Sequence, residues 1–382
     1  MNGPTKRQHY VWRSYLAAWT KTNSSDGQIM CLRDKKVFPV SLMKIAQENR
    51  FYGVKELSQQ ERAFIYETMV RNTPGTQREV NRNWLDLYCA PFDLADELSN
   101  LGYPIFGHTN RAKIVNDQKF KNWNIEYIEK IHAKIEETGT PYISLLRHDN
   151  IDFWKNEAAR DEFSFFLSNQ YFRTKKIRDN IIAVLHKAKP KTGRFADICP
   201  ENMWIPFSLI FATNVGAHIA QKYSAILLQA DGAHFIVGDQ PVINTHSTHD
   251  MATPPDSMEL YYPISPRSAL LLTSDCKYSD LQIVKVSADE VKKYNQLEQH
   301  AAKEMIFACQ NIDAAEAYRI GLVNAVYPQE ELMDAAKKMA AGIAKNAPIA
   351  VRACKKAINE GLEVGMDEAI VIEEKLFGSC FE

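Results

Sequence analysis

A break near residue 300 limits what this chain can fold into. All six tryptophans (Trp12, Trp19, Trp84, Trp123, Trp154 and Trp204) precede it, and Ala301–Glu382 is alanine-rich with none. Charge divides at the same place, with 37 basic and 34 acidic residues before it and 9 and 13 after it. The later stretch reads as short amphipathic helices. Asp313 and Glu316 cap one that stops at Gly321, and Leu322–Tyr327 is extended. Pro328 opens a helix to about Lys345, with Leu332, Ala335, Met339 and Ile343 on one face. Ala347-Pro348 opens another that ends at Gly361, and Met366–Phe377 is the last. Helices this short are marginal in water, so their apolar stripes require a partner surface. The expected division is a domain over 1–302 and a helical segment over 303–382.

Composition excludes several classes. The balance of 46 basic and 47 acidic residues gives a net charge of -1, without the cationic surplus of a nucleic-acid binder. A content of 45% hydrophobic residues argues against disorder. Seven cysteines with no C-x-x-C pair form neither a disulfide framework nor a zinc ribbon, and fit reduced thiols. No apolar stretch follows the basic start, and Trp204–Gly216 is shorter than a bilayer of about 30 Å requires. The expectation is a soluble, cytoplasmic chain without membrane contact.

The first 300 residues read as an α+β body: mainly helical, with a small antiparallel sheet. His9–Thr20 carries Trp12, Leu16 and Trp19 at helical spacing. Gln28–Arg33 and Lys36–Val40 flank Asp34-Lys35 as a hairpin. Helices are expected at Ser58–Arg71, Asp117–Glu137 and Asn156–Lys187, and over Pro200–Gln221 with Pro206 starting or kinking it. Ser224–Gln229 and His234–Val237 form a hairpin around Asp231-Gly232, and Leu260–Ile264 and Ala269–Thr273 extend the sheet. Ser287 and Glu290 make a capping box for a helix through Val291, Tyr294, Leu297 and Ala301.

Two resemblances divide the chain in the same way. Ile312–Asn324, Ala347-Pro348-Ile-Ala-Val351, Lys355–Asn359 and Glu373–Phe377 occur in the order and spacing of the enoyl-CoA hydratase/isomerase (crotonase) family. The resemblance covers roughly 303–382 and implies the family's C-terminal helices, which pack at a trimer interface and cover part of the acyl-CoA site. It does not imply hydratase activity. Nothing in 1–300 resembles the family's core, with its oxyanion hole and two glutamates, and Glu373 and Glu374 match a position remote from those glutamates. The chain also stops at Gly378–Glu382, before residues that help hold CoA in the family.

The second resemblance is carried by His9-Tyr-Val-Trp-Arg-Ser-Tyr-Leu16, Asp26–Ile29, Arg173, Phe235–Val242, Tyr262–Pro266 and Asn295. This ordered set is similar to an uncharacterised, largely bacterial family, domain-of-unknown-function family 4238, which often has Pro where this chain has Trp12. It spans 1 to about 307 and implies no reaction. The two resemblances meet within Tyr294–Cys309, as expected of a gene fusion joined inside a helix whose pattern serves both.

Candidate chemistry in the body centres on His9, Arg13, Arg173 and Asp239. His9 and Arg13 lie one turn apart on the expected helix. Asp239 follows a strand in a Gly-Asp-Gln-Pro loop, and Arg173 offers a guanidinium fork for phosphate or carboxylate. His9 supplies an acid or base near neutral pH. The competing reading makes His9 and Arg13 helix braces and Asp239 a turn residue before Pro241.

His246, His249 and Asp250 have the residue types of a metal site, but Pro254-Pro255 and the polar surroundings favour a solvated loop, so no metal is expected. The basic run Arg173–Arg178 reads as a solvated helix face, which makes nucleic acid an unfavoured partner. Glycine-rich phosphate loops, dinucleotide fingerprints and nucleophile elbows do not occur, and no cofactor is expected.

The leading expectation is a small polar site with hydrolytic or nuclease-like activity on a small or phosphate-bearing ligand. The alternatives are a non-enzymatic binding or interaction module, and an acyl-CoA lyase-related protein lacking its catalytic core. Self-association through the tail helices is a further expectation.

Overall fold

A computed structural model describes residues 7–33, 36–247, 257–275, 277–301, 327–361 and 366–379. The chain forms two compact units, Met1–Ala308 and Cys309–Glu382.

In the first unit, β1 (Arg7–His9) pairs antiparallel with β4 (Gln47–Asn49), and β2 (Gln28–Arg33) with β3 (Lys36–Ser41) as the expected hairpin. The turn at Asp34-Lys35 lies outside the described residues. Five further strands form one sheet in the order β6-β7-β8-β5-β9: β5 is Ser224–Ala230, β6 Ile243–Asn244, β7 Leu260–Pro263, β8 Ser268–Thr273 and β9 Ile283–Val286. It is antiparallel except at its β5–β9 edge, where the pairing is parallel.

Period-two alternation sends side chains of this sheet into two cores. Leu227, Leu260, Tyr262, Leu270 and Leu272 join the main helical core. Ile226, Leu228, Tyr261, Ala269 and Leu271 pack in a smaller cluster with Val291. That residue belongs to α9 (Ala288–Ala301), whose expected capping box forms between Ser287 and Glu290.

The helices before the sheet are α1 (Arg13–Leu16), α2 (Gln59–Ile65), α3 (Gly75–Asn100), α4 (Arg111–Asn116), α5 (Gln118–Arg147), α6 (Glu157–Phe172), α7 (Lys175–Ala188) and α8 (Pro200–Lys222). Side-chain caps start several of them: Ser58 and Glu61 box α2, Asp117 accepts from Lys119 N at 2.7 Å, and Asn156 from Ala159 N at 3.0 Å. In two of the helices that continue through a proline, a tyrosine meets the carbonyl it orphans. Pro91 in α3 leaves Leu87 O, which accepts from Tyr127 Oη at 3.0 Å. Pro206 in α8 leaves Asn202 O, which accepts from Tyr88 Oη at 3.2 Å. Gly216 lets α8 approach α6, since a Cβ there would stand 2.9 Å from Phe165 Cα.

Four expectations change. His9–Thr20 is not one helix: His9 ends β1, Arg13 starts α1, and Ala17–Trp19 is a 3-10 turn. The helix expected over Asn156–Lys187 breaks at Arg173-Thr174, where Thr174 is extended and its hydroxyl bonds Gln240. His234–Val237 is not a strand of the sheet, because the side chain of Asn295 takes the place of a neighbouring strand. It accepts from Ile236 N at 3.0 Å and donates to His234 O at 2.8 Å. Finally, Trp204–Gly216 lies within a helix of 23 residues, long and apolar enough to cross a membrane, with 67% of its apolar window buried inside the protein.

In the second unit the described elements are α10 (Gln329–Ala344), α11 (Pro348–Gly361) and α12 (Met366–Gly378), the three expected tail helices. The expected elements at Asp313–Tyr327 lie outside the described residues, apart from Tyr327 itself.

Candidate functional site

Three elements converge on Arg173. The β1–α1 connection supplies Gln8, His9, Tyr10 and Trp12. From α5 come Glu129, His132 and Glu136, and from the end of α6 come Asn169 and the cap residue Arg173. Spacings of three and four residues put each helical set on one face. Arg173 is 1% exposed. Its Nε donates to Tyr10 O at 3.1 Å and its Nη2 to Glu136, while Nη1 is buried without a partner among the described residues. Gln8 donates to Ile125 O at 2.7 Å and to Glu129 at 3.2 Å, and accepts from Tyr52 N at 2.8 Å. The buried His132 pairs with Asn169 at 2.9 Å, its ring 4.5 Å from that of Tyr52.

Both histidines are held neutral. Burial, with the Arg13 charge second, pulls His9 down to about 4. Burial and then Arg173 pull His132 down to about 3. At neutral pH, His9 is therefore uncharged. Its Nδ1 is buried without a partner among the described residues, while the buried Trp12 indole and Tyr262 hydroxyl meet each other.

Arg13 reaches Asp26 at 3.5 Å and the sulfur of Met43, and stays partly exposed. Its proximity to His9 comes from the strand-to-helix turn and not from a shared helix. The fourth residue, Asp239, lies in the neighbourhood of Glu298. Glu298 is fully buried and accepts from Gly238 N at 3.1 Å. Burial, and secondarily Asp239, raise it well above the carboxylate range. Gln240 joins the two neighbourhoods through Thr174, Tyr171 O and Val242 O. His9, Arg13 and Arg173 thus share one electrostatic setting, and Asp239 belongs to the adjoining one.

Glu136, His132, Asn169 and Glu298 were not among the candidates. The signal for them was a polar residue recurring on an otherwise buried helix face: Glu129, His132 and Glu136 on α5, Asn169 and Arg173 on α6, and Asn295 and Glu298 on α9.

Other candidates are occupied elsewhere. Lys175 and Arg178 of the basic run pair with Glu48 at 3.9 and 2.7 Å, and Arg178 lies over Phe51. His246 bonds Ser257 at 2.7 Å, and its companions His249 and Asp250 lie outside the described residues. Among the described residues no three His, Cys, Asp or Glu side chains are grouped to hold a metal.

Comparison with known proteins separates the same two parts. Residues 291–382 match the enoyl-CoA hydratase/isomerase family. Over 80 residues the chain is 51% identical to the short-chain-enoyl-CoA hydratase of Clostridium acetobutylicum, covering 21% of this chain and 31% of that protein. It is 45% identical to the crotonyl-CoA hydratase of Syntrophomonas wolfei, with the same shares, and 49% identical to the short-chain-enoyl-CoA hydratase of Clostridioides difficile, covering 52% of the latter. The chain therefore spans about a third to a half of these relatives. No solved structure matches. Residues 7–311 match the family described as protein of unknown function (DUF4238), so the two matches overlap over 291–311, which includes most of α9. That match takes in well over half of the chain and every residue around Arg173, and the chain belongs to the DUF4238 family.

Proposed function

We propose that the body binds a small anionic ligand between His9, Arg13 and Arg173, and that neutral His9 serves as the base of a hydrolytic step on it. One observation carries this reading. Arg173 Nη1 and His9 Nδ1 are both buried without a partner among the described residues, and Arg173 donates to Tyr10 O, the residue after His9. A buried polar atom left unpaired costs roughly 1–3 kcal/mol, so such atoms mark where a ligand or water completes the structure.

The test is hydrolysis of p-nitrophenyl acetate and p-nitrophenyl phosphate by the full chain. Activity should rise with pH through about 4, the His9 value, and be level by neutral pH. His9→Gln should lose it at least tenfold. Equal rates in the two proteins would refute the role of His9.

A non-enzymatic binding module is the second reading. It is favoured by the extent to which Arg173 is committed to Tyr10 O and Glu136. A role in acyl-CoA chemistry rests on the tail alone, through relatives whose names describe hydratases. Stabilisation of the full chain by crotonyl-CoA would support it.

A further inference from the structure

We infer that the outer face of α3 is a docking site for an amphipathic helix with basic residues along its flank. The inference uses none of the residues around Arg173 and does not depend on the anion-binding reading.

Two apolar stripes run along this 26-residue helix, where a helix on the surface of a globular body needs one. The first, with Leu85, Tyr88, Phe92 and Ala95, is buried in the body. The second is Val80, Leu87, Leu94 and, at the cap, Leu101. These lie seven residues apart and are between 37% and 62% exposed. Seven residues advance an α-helix by almost two whole turns, so the four side chains form one line roughly 30 Å long. That repeat is the seam of a helix that pairs with another helix. Its borders are regular. The residue after each of the first three, Asn81, Tyr88 and Ala95, is buried. The residue before each, Glu79, Asp86 and Asp93, is a carboxylate. At the middle of the stripe α5 forms a wall, where Tyr127 donates to Leu87 O at 3.0 Å and its ring lies 5.4 Å from that of Trp123.

Charge selects the partner. Glu97 continues the row of Glu79, Asp86 and Asp93, one helical turn beyond Asp93. Arg82 reaches Asp86 at 3.5 Å, and Arg62 reaches Asp93 at 2.6 Å. Arg82 and Arg78 stand on the side of α3 opposite Val80, and Arg78 donates to Thr73 O at 2.9 Å. On α5, Lys130 pairs with Glu126 at 3.1 Å. Four carboxylates against two arginines leave this border net negative, and both arginine pairs are partly exposed, where ion pairs hold weakly. A second copy of α3 fits poorly. Run antiparallel, it would set the two acidic rows against each other. Run parallel, it would face each row with Asn81, Tyr88 and Ala95, which the partner's own body covers. A different helix, apolar along one stripe with lysine or arginine beside it, suits both the seam and its acidic border.

The test uses the full chain and two synthetic helical peptides with leucine at the a and d positions of each heptad. One carries lysine at the flanking e and g positions and the other glutamate. Binding is read by fluorescence anisotropy of the labelled peptide at low and high salt. The lysine peptide should bind, more weakly at high salt, and the glutamate peptide should not. Leu87→Gln combined with Leu94→Gln removes two exposed leucines and should weaken binding roughly tenfold or more, with the urea midpoint of the protein unchanged. Glu79→Lys combined with Asp86→Lys should reverse the preference between the peptides. The natural protein and the leucine variant should sediment with the same mass. A lower mass in the variant would mean that a second copy covers the stripe, and would overturn the inference. Equal binding of the two peptides, or no binding of either, would also overturn it, as would lysine-peptide binding that the leucine variant leaves intact.

Discussion

Along α6 the apolar stripe is closed off from water, with Phe163, Phe166 and Leu167 fully buried. Along α10, Leu332, Met333 and Met339 are 49%, 61% and 54% exposed. Both helices carry apolar residues at helical spacing, so patterning alone does not separate them. The difference is what each faces. The stripe of α6 meets α8 and α5 at close quarters, and Gly216 permits the approach. The helices of the second unit lie within a match that spans about a third to a half of the relatives' length. An amphipathic pattern is a demand for a partner, and at α6 the body meets that demand within its own sequence.

The comparison can be broken most severely at Arg173. Arg173→Ala leaves Glu136 without its cation and Tyr10 O without its donor, and should cost about 3–5 kcal/mol in urea unfolding. A loss below about 1 kcal/mol would mean that the buried pair does not organise the body.

Acid comes next. His9 and His132 have folded values below the ordinary 6.5, so the unfolded chain binds more protons than the folded one beneath that pH. Their contribution is complete above about 6.5 and fades as pH falls toward about 4 for His9 and about 3 for His132. Glu298 has the opposite sign. Its folded value is raised, so its contribution is complete below the ordinary carboxylate value and is lost as pH rises. Glu298→Gln should therefore gain stability over the natural protein increasingly as pH is raised. A urea midpoint difference that does not change with pH would contradict the buried, protonated state.

A smaller effect is expected at Asn295. Asn295→Ala removes two of the bonds that hold His234–Ile236 and should cost about 2 kcal/mol, read from the same unfolding curves. Least of all, Phe377→Ser on α12, where the side chain is 66% exposed, should move the body's unfolding by under about 0.5 kcal/mol. A large effect there would show that the tail supports the body.

Local rules were enough wherever one short segment decided the outcome. The Ser287–Glu290 capping box, the β2–β3 hairpin and the starts of α10 and α11 follow from caps, turn residues and proline. They failed where a distant side chain intervened. Asn295 replaces a strand for His234–Val237, and the Tyr88 and Tyr127 hydroxyls let helices pass through Pro206 and Pro91. The contact of Thr174 with Gln240 accompanies a break in what reads as one long helix. The candidate site shows the same division. Arg173 and His9 stood out by residue type, but their common setting depends on a turn and on α5 residues more than 100 positions from His9.

The claim that the body closes the apolar faces of its core helices while the tail helices leave theirs open is tested most directly by native-state hydrogen exchange on the full chain. Amides of α6, α8 and β8 should exchange only through global unfolding, whereas those of α10, α11 and α12 should exchange orders of magnitude faster. Equal protection in both regions, lost together in a single transition, would contradict that division.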